Sequence, residues 1–384
     1  MAVGHSDDIE PSDAIEAIVA QCERGLEGAR PSAGLLFLTY DTDPAPFVTG
    51  VRAAYPDIEL VGSTSIGEMS SALGFREDSA TLALFTSDTI RIAAGFATGV
   101  AADPLGAARR AVAQARVKSD LEPRLCVALP SVAVGDPTPL LRELRRELGG
   151  DVPVLGGGSG PRLGGDPDVA RQFFGDQILQ DAVTVLLFTG PLSASFGVDN
   201  GWRPVGRTGT VTDASGFTIR TIDGEPAIEF FERYLGSGAR PTAANPLAVF
   251  HGDSDRFHLR VALEADPTTG AVEVAGDVTV GSRVQLTVAV IDDIFDGTRS
   301  SVQQALKAFP PTAPAEAALV FSCAIRKWVL GTRAATELDI TRHELGPGIP
   351  VAGLYCFGEI APLDTGATGF HNETFVTVLL GEAG

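Results

Sequence analysis

IELVGSTSIGEM (residues 58–69), VPVLGGGSGPRL (152–163) and IPVAGLYCFGEI (349–360) are three versions of one sentence. Each is a short apolar run, then a glycine, then a turn of small residues. The first and third continue to Gly-Glu and an apolar residue, Gly67-Glu68-Met69 and Gly358-Glu359-Ile360. A strand-like run precedes each (34–39, 124–129, 318–321), and another follows after a loop (79–86, 181–189, 374–380). A supersecondary unit recurring on this scale predicts a fold built by duplication. Small-residue turns at strand ends are also where a ligand can approach backbone closely.

The units alternate strand-like and helix-like segments. Helices are expected over 14–27, 46–54, 104–117, 138–148, 226–235 and 294–308, several opened by Asp-Pro or Asp caps. Residues 1–12 read as a frayed polar end. Residues 79–87 and 89–96 read as a hairpin around Ser87-Asp88, and 192–198 as a strand beside 177–189. From 205 to 290 the texture changes to alternating strand-like runs. The expected class is mixed α/β, with two domains of duplicated βαββ-type units, mixed sheets and helices packed outside. A boundary is expected near 195–205, giving an N-terminal extension (1–29) and domains at 30–197 and 202–384.

Composition narrows function. The 384 residues carry 49 acidic against 29 basic side chains, a net charge of −20, with 44% hydrophobic residues. That field repels phosphate backbones and anionic lipid, so no nucleic-acid partner is expected. The opening residues are acidic and polar, unlike a signal peptide, and no apolar run approaches a membrane span. No membrane insertion and a cytoplasmic location are therefore expected. Cys22, Cys126, Cys323 and Cys356 form no CxxC pair, which argues against a zinc site.

No familiar catalytic signature is present. The run 155–162 (LGGGSGPR) follows a strand as a phosphate loop would, but lacks the P-loop Lys-Ser/Thr. His251, Asp253, Asp255 and His258 suggest a metal cluster, but they straddle a turn, where alternation sends neighbours to opposite faces. Asp292, Asp293 and Asp296 read as a helix start. Glu68 and Glu359 are either ligand contacts, surface turn carboxylates, or structural partners of an internal arginine such as Arg326. Cys323 is either a ligand-facing thiol or a small core residue. Arg326 can clamp a carboxylate or pair with Glu359. His371 and Asn372 either meet a ligand or satisfy the turn that opens the last strand.

The order G-S-T-S-x-G-E, F-S-C-x-x-R, P-V-A-G-x-Y-x-x-G-E-I-A-P and F-H-N-E-T closely resembles the FIST family of intracellular signal-transduction proteins. The resemblance covers 30–197 as the N-terminal domain and 202–380 as the C-terminal one. It implies a cytoplasmic bacterial sensory module for a small ligand such as an amino acid, with Ser63, Thr64 and Glu68 forming one site. Cys323, Arg326, Gly358, Glu359 and Asn372 would form the other. In the second copy Pro161 stands where the glutamate is expected. The short N-terminal segment leaves no room for the F-box of some family members. Output is then expected through a separate partner such as a histidine kinase, or through homo-oligomerisation.

Three functions compete. The first is a ligand-binding sensor without catalytic residues or cofactor. The second is a haem-based nitric-oxide sensor, with His251, His258, His343 or His371 as axial ligand. The third is a thiol-dependent hydrolase using Cys323, His371 and Glu359.

Overall fold

The computed structural model describes residues 1–133, 135–161, 169–363 and 368–383. The chain opens with β1 (Ala2–Ser6) and α1 (Pro11–Leu26). There follow β2 (Ala33–Thr39), α2 (Pro44–Ala54), β3 (Glu59–Ser65), β4 (Glu68–Ser70), β5 (Gly74–Arg76), β6 (Ala80–Phe85), β7 (Arg91–Thr98) and α3 (Pro104–Arg116). The second segment comprises β8 (Pro123–Pro130), α4 (Thr138–Glu147), β9 (Val154–Gly157), β10 (Gln172–Phe174), β11 (Gln177–Leu179), β12 (Ala182–Thr189) and β13 (Leu192–Asp199). An insert then provides β14 (Arg203–Ser215), β15 (Thr218–Ile222), β16 (Glu225–Pro226), α5 (Ala227–Leu235), β17 (Leu247–Phe250), β18 (Phe257–Arg260), β19 (Ala262–Ala265), β20 (Val272–Val274) and β21 (Arg283–Val288). The last segment holds α6 (Ile291–Ala308), β22 (Ala317–Cys323), α7 (Ala324–Leu330), α8 (Ala335–Leu345), β23 (Val351–Cys356), β24 (Glu359–Pro362), β25 (Thr368–His371) and β26 (Phe375–Glu382). The mixed α/β class is the observed one. None of the described helices is long and apolar enough to cross a membrane.

Three six-stranded sheets share one plan: β1-β6-β2-β3-β10-β11, β7-β12-β8-β9-β24-β25 and β13-β26-β22-β23-β4-β5. A parallel pair lies at the centre of each: β2/β3, β8/β9 and β22/β23. The outer strands are exchanged. Each segment sends its small hairpin (β4-β5, β10-β11, β24-β25) to one neighbouring sheet and its last strand (β7, β13) to another. β1 fills the remaining place beside β6.

Strands buried on both faces read as continuous apolar runs. Along β2, Leu35 and Phe37 point inward to a core shared with Val127 and Leu129 of β8 and Leu319 and Phe321 of β22. Leu36 and Leu38 face outward to α1 and α2. α3 and α4 cover the second sheet, and α6 and α8 the third. The insert builds its own sheet around Val211, Phe231, Val272 and Leu286.

This arrangement corrects several sequence expectations. Residues 2–6 are a buried strand, because the open edge of β6 needs a partner that a short AVGHS stretch does not announce. β6 and β7 are no hairpin: β7 crosses to β12, and β13 crosses to β26. Residues 324–330 and 335–345 are helical, so Arg326 sits on α7 rather than at a strand end. α6 starts after Val290, and Asp293 accepts from the Val290 amide as an N3 residue.

The glycine common to the three sentences has one physical role. A Cβ on Gly62, Gly156 or Gly353 would lie 2.0–2.1 Å from the carbonyl oxygen of Leu36, Ala128 or Val320 on the neighbouring parallel strand. Gly4, Gly95 and Gly197, on the exchanged strands, meet the carbonyls of Ile18, Ala111 and Ser301 on the helices that follow, at 1.9–2.3 Å. Gly353→Ala is therefore expected to destabilise by roughly 1–3 kcal/mol or more through overpacking. Urea unfolding should show a lower midpoint with an unchanged slope.

Candidate functional site

At the C-terminal ends of the central parallel strands three polar pairs face one another: Thr39 and Ser65, Ser131 and Ser159, Cys323 and Cys356. A third side chain joins each pair from the first residue of the exchanged hairpin. Glu68 pairs its backbone with Leu354 of the third sheet, yet its carboxylate accepts from Ser65, from Ser79 and from Thr39 at 3.2 Å. Glu359 pairs with Gly157 of the second sheet and accepts from the Thr374 amide (3.0 Å) and hydroxyl (2.7 Å) and from Cys356 Sγ (3.5 Å). Gln172 pairs with Ser63 of the first sheet, donates to Ser159 and accepts from the Ala182 amide at 3.2 Å.

Gln172 thus takes the place where aligning the sentences put Pro161. The intervening residues delay it, so the spacing that found Glu359 from Glu68 passed over it. Each of these side chains clasps a departing strand back to its parent sheet. Gly67 (φ 144°) and Gly358 (φ 106°) make the crossing turn, where a Cβ on Gly358 would meet the Phe370 ring at 2.1 Å.

The clasps are wholly buried, and burial pushes the Glu68 and Glu359 carboxyls up to about 7, against the pull of the hydroxyls around them. His5 on β1 extends the first clasp, with Nδ1 2.8 Å from Ser70 Oγ and Nε2 2.9 Å from Ser79 Oγ. Burial lowers it to about 4, so it is neutral. Glu373, at φ 57° in the turn before β26, is also buried. Its carboxylate oxygens find no hydrogen-bond partner among the described residues, and burial holds the group well above the usual range.

The other expected site residues separate into different places. Thr64 is tied to the backbone of Val169 and Arg171 at 3.2 and 3.0 Å. Ser63 Oγ is buried without a hydrogen bond among the described residues. Arg326 is wholly buried, and its partner is Glu337 (2.6 Å) rather than Glu359. It also donates to Thr298 Oγ1 and to the carbonyls of Ile294, Asn200 and Glu373. With its fork spent in this way it is a structural hub joining α6, α7 and α8. Glu337, which sequence reasoning missed, also accepts from Ser322, Tyr355 and Thr298.

Cys323, Gly358 and Asn372 do come together. They line a cavity of about 300 Å³ with Ile325, Trp328, Phe357 and Phe370, closed by Gly160 and Pro161 on one side and Val261 and Leu263 of the insert on the other. Asn372 Oδ1 accepts from the Val261 amide at 3.2 Å, which pins the insert to the body. Burial, with the Glu359 and Glu373 carboxyls, pushes the Cys323 thiol well above its ordinary range. That is the opposite of what a nucleophilic thiolate needs.

A second, more open cleft of about 490 Å³ carries His251, His258 and His371. The expectation that alternation separates His251 from His258 does not hold. They sit on either side of the β17–β18 turn, with Nε2 and Nδ1 2.8 Å apart. Among the described residues no group of three or more metal-ligating side chains is arranged to hold an ion. The cleft's charged lining, including Asp199, Arg203, Asp255 and Asp293, does not fit the apolar faces of a haem. His371 Nε2 is engaged by the Ala361 carbonyl at 3.1 Å.

The buried carboxyls make stability depend on pH. Below about pH 4.5 Glu68 and Glu359 are protonated whether the chain is folded or not. Between there and about 7 the unfolded chain ionises while the folded chain keeps its protons, so stability falls as pH rises through that window. His5 acts in the other direction, with stability lost as pH falls from 6.5 towards 4. Since Gln172 already does the clasp's work without charge, Glu68→Gln and Glu359→Gln should each flatten the fall. Urea unfolding at pH 5, 6.5 and 8 should show a gain at pH 8 on the order of 1–3 kcal/mol each. A larger loss at pH 8 than at pH 5 would show that the fold depends on the ionised form.

Comparison with known proteins adds the family. Two uncharacterised proteins are similar: one from Mycobacterium tuberculosis (strain ATCC 25618 / H37Rv) at 32% identity over 253 residues, and one from Mycobacterium bovis at 30% over 250. The match covers 61% of this chain and 62% of each relative, so the chain spans about 62% of the length of the curated relatives it matches. Among solved structures, a cyanuric acid hydrolase from A. caulinodans is similar over 99% of this chain and 98% of its own, at 9% identity and a TM-score of 0.39. At that identity and score nothing about this chain follows from it. The FIST N domain profile matches residues 32–225 and the FIST C domain profile residues 227–362. The chain belongs to the FIST family, whose domains are associated with signal-transduction sensing of small ligands.

Proposed function

We propose that this protein is a cytoplasmic small-ligand sensor whose ligand occupies the cavity lined by Cys323, Gly358 and Asn372, and which passes its signal to a separate protein. The observation that carries the reading is that this cavity is a seam. Its walls come from the second segment (Gly160, Pro161), the last segment (Cys323, Ile325, Asn372) and the insert (Val261, Leu263). A ligand that touches all three favours one seating of the insert over others, and differential contact of that kind turns binding into a conformational signal.

The lining sets the ligand's chemistry. Phe217, Trp328, Phe357 and Phe370 offer aromatic walls, and Asn372, whose Oδ1 accepts from the Val261 amide and whose Nδ2 donates to the His371 carbonyl, keeps one amide hydrogen as a polar handle. An aromatic or aliphatic body with one hydrogen-bonding head fits such a site. The amino-acid ligand implied by the family resemblance fits best as a hydrophobic amino acid with its side chain inside. Arg326 is spent on Glu337, so a ligand carboxylate has to rely on Asn372 and backbone amides. The raised Cys323 thiol disfavours the hydrolase reading, and the lining of the histidine cleft disfavours haem. Signalling partners such as a histidine kinase, and self-association, belong to the same proposal.

Thermal unfolding in the presence of L-phenylalanine, L-leucine, phenylacetate and indole tests it. At least one compound should raise the melting temperature, because ligands that bind the native state stabilise it. Leu263→Trp, a substitution at the half-buried rim, should fill the cavity and abolish that rise while the protein stays folded. The proposal is sunk if folded protein responds to none of them, or if the response persists in Leu263→Trp.

A further inference from the structure

A third cavity, of about 310 Å³, lies on the other side of Phe370, between α4, the insert and β25. Three arginines line it: Arg142 and Arg145 of α4 and Arg260 of β18. In a chain with net charge −20, three guanidiniums around one hollow are unexpected, and their pairing is uneven.

Elsewhere on α4 and its neighbour α3 the arginines find carboxylates. Arg146 meets Glu143 (3.2 Å) and Glu147 (3.4 Å), and Arg109 meets Glu143 (2.5 Å). Arg142 and Arg145, one helical turn apart and facing the cavity, make no ion pair with any described residue. Like charges three residues apart on a helix repel and destabilise it.

Arg260 is buried and held by the carbonyls of Asp277, Leu259 and Phe370 at 3.0–3.1 Å. The carboxylate in the lining, Asp277, lies 3.4 Å from Arg260 and accepts from Thr138 at 3.3 Å. Among the described residues of the lining, three cations therefore face one carboxylate, with Asp136 near enough to Arg260 to act on it as well. Thr279 and Ser282 supply hydroxyls on the insert side, and Val278 and Phe250 supply apolar wall.

We propose that this cavity binds a small organic dianion, a phosphate monoester or a dicarboxylate, with its charged end between Arg142 and Arg145 and its body against Phe250 and Val278. Two guanidinium forks on adjacent turns can take two oxygens each, the geometry that phosphoryl and carboxylate groups share. The protein's overall negative charge opposes non-specific anion binding, so an anion that does bind needs a local site of this kind. The ligand bridges α4 and the insert, as the apolar seam does on the far side of Phe370, so each site biases the insert independently.

Isothermal titration of the full chain with phenyl phosphate and, separately, with phthalate tests the proposal. At least one should bind saturably at one site per chain with Kd at or below about 1 mM, more weakly as salt is raised. Arg142→Gln/Arg145→Gln should weaken that binding about tenfold or more, whereas Leu263→Trp in the other cavity should leave it unchanged. Arg142 is exposed and Arg145 half-buried, so the double variant is expected to fold. Should it not fold, Arg142→Gln alone should weaken binding about threefold or more. Absence of saturable binding by either probe, or binding to the folded arginine variant as tight as to the wild type, would overturn the proposal. Neither result would bear on the seam cavity.

Discussion

A strand that leaves one sheet to complete another has to be tied to both, and this constraint organises the molecule. The backbone of the departing hairpin supplies one tie through the ladder of the receiving sheet. The other tie is a single buried side chain reaching back: Glu68, Gln172 or Glu359. A buried polar group of this kind is costly without partners and specific with them. Hydroxyls, thiols and amides at the strand ends supply those partners. Because each of the three six-stranded sheets contains strands from more than one segment, those sheets and their shared core stand or fall together.

The exchange also explains why division at a single boundary captures only part of the architecture. The two family profiles meet at residues 225–227, inside the insert's own sheet, while β4 and β5 from the first segment complete the sheet of β22, β23 and β26. The insert is joined to the body by polar contacts, among them Asn372 to Val261, Arg260 to the Phe370 carbonyl and Thr138 to Asp277, and by packing of Ala248 and Leu259 into the core of the third sheet. The cavities discussed above lie along that attachment. A ligand that contacts both sides of such a junction can change the population of its arrangements.

Much of the architecture was legible. The helices over 44–54, 104–116, 138–147 and 227–235 follow from caps, prolines and apolar spacing. The repeated glycine was visible as a pattern, although its cause, a carbonyl at contact distance on the adjacent strand, was not. Sequence proximity misled where strands cross: β6 and β7 lie five residues apart yet belong to different sheets. Around the candidate site, Cys323, Gly358 and Asn372 line one cavity, whereas Arg326, read as a carboxylate clamp or a partner of Glu359, is buried against Glu337. An arginine's reach is visible in sequence, but its partner eleven residues away on another helix is not. Arg142, Arg145 and Arg260 gave no signal, because they are far apart in the chain and ordinary in local context.

By itself the sequence determined the local terms: most of the strand and helix runs (though not β1, α7 or α8), where glycine recurs, that the mean field is acidic, and which family motifs are present. Those depend on residues within a turn or two of each other. The tertiary structure alone decided which sheet each strand joins, that Gln172 replaces a glutamate, that Glu68 and Glu359 are enclosed fasteners, and which side chains meet around each hollow. Those outcomes rest on contacts between residues tens to hundreds of positions apart, whose energies depend on burial and geometry that no local pattern encodes.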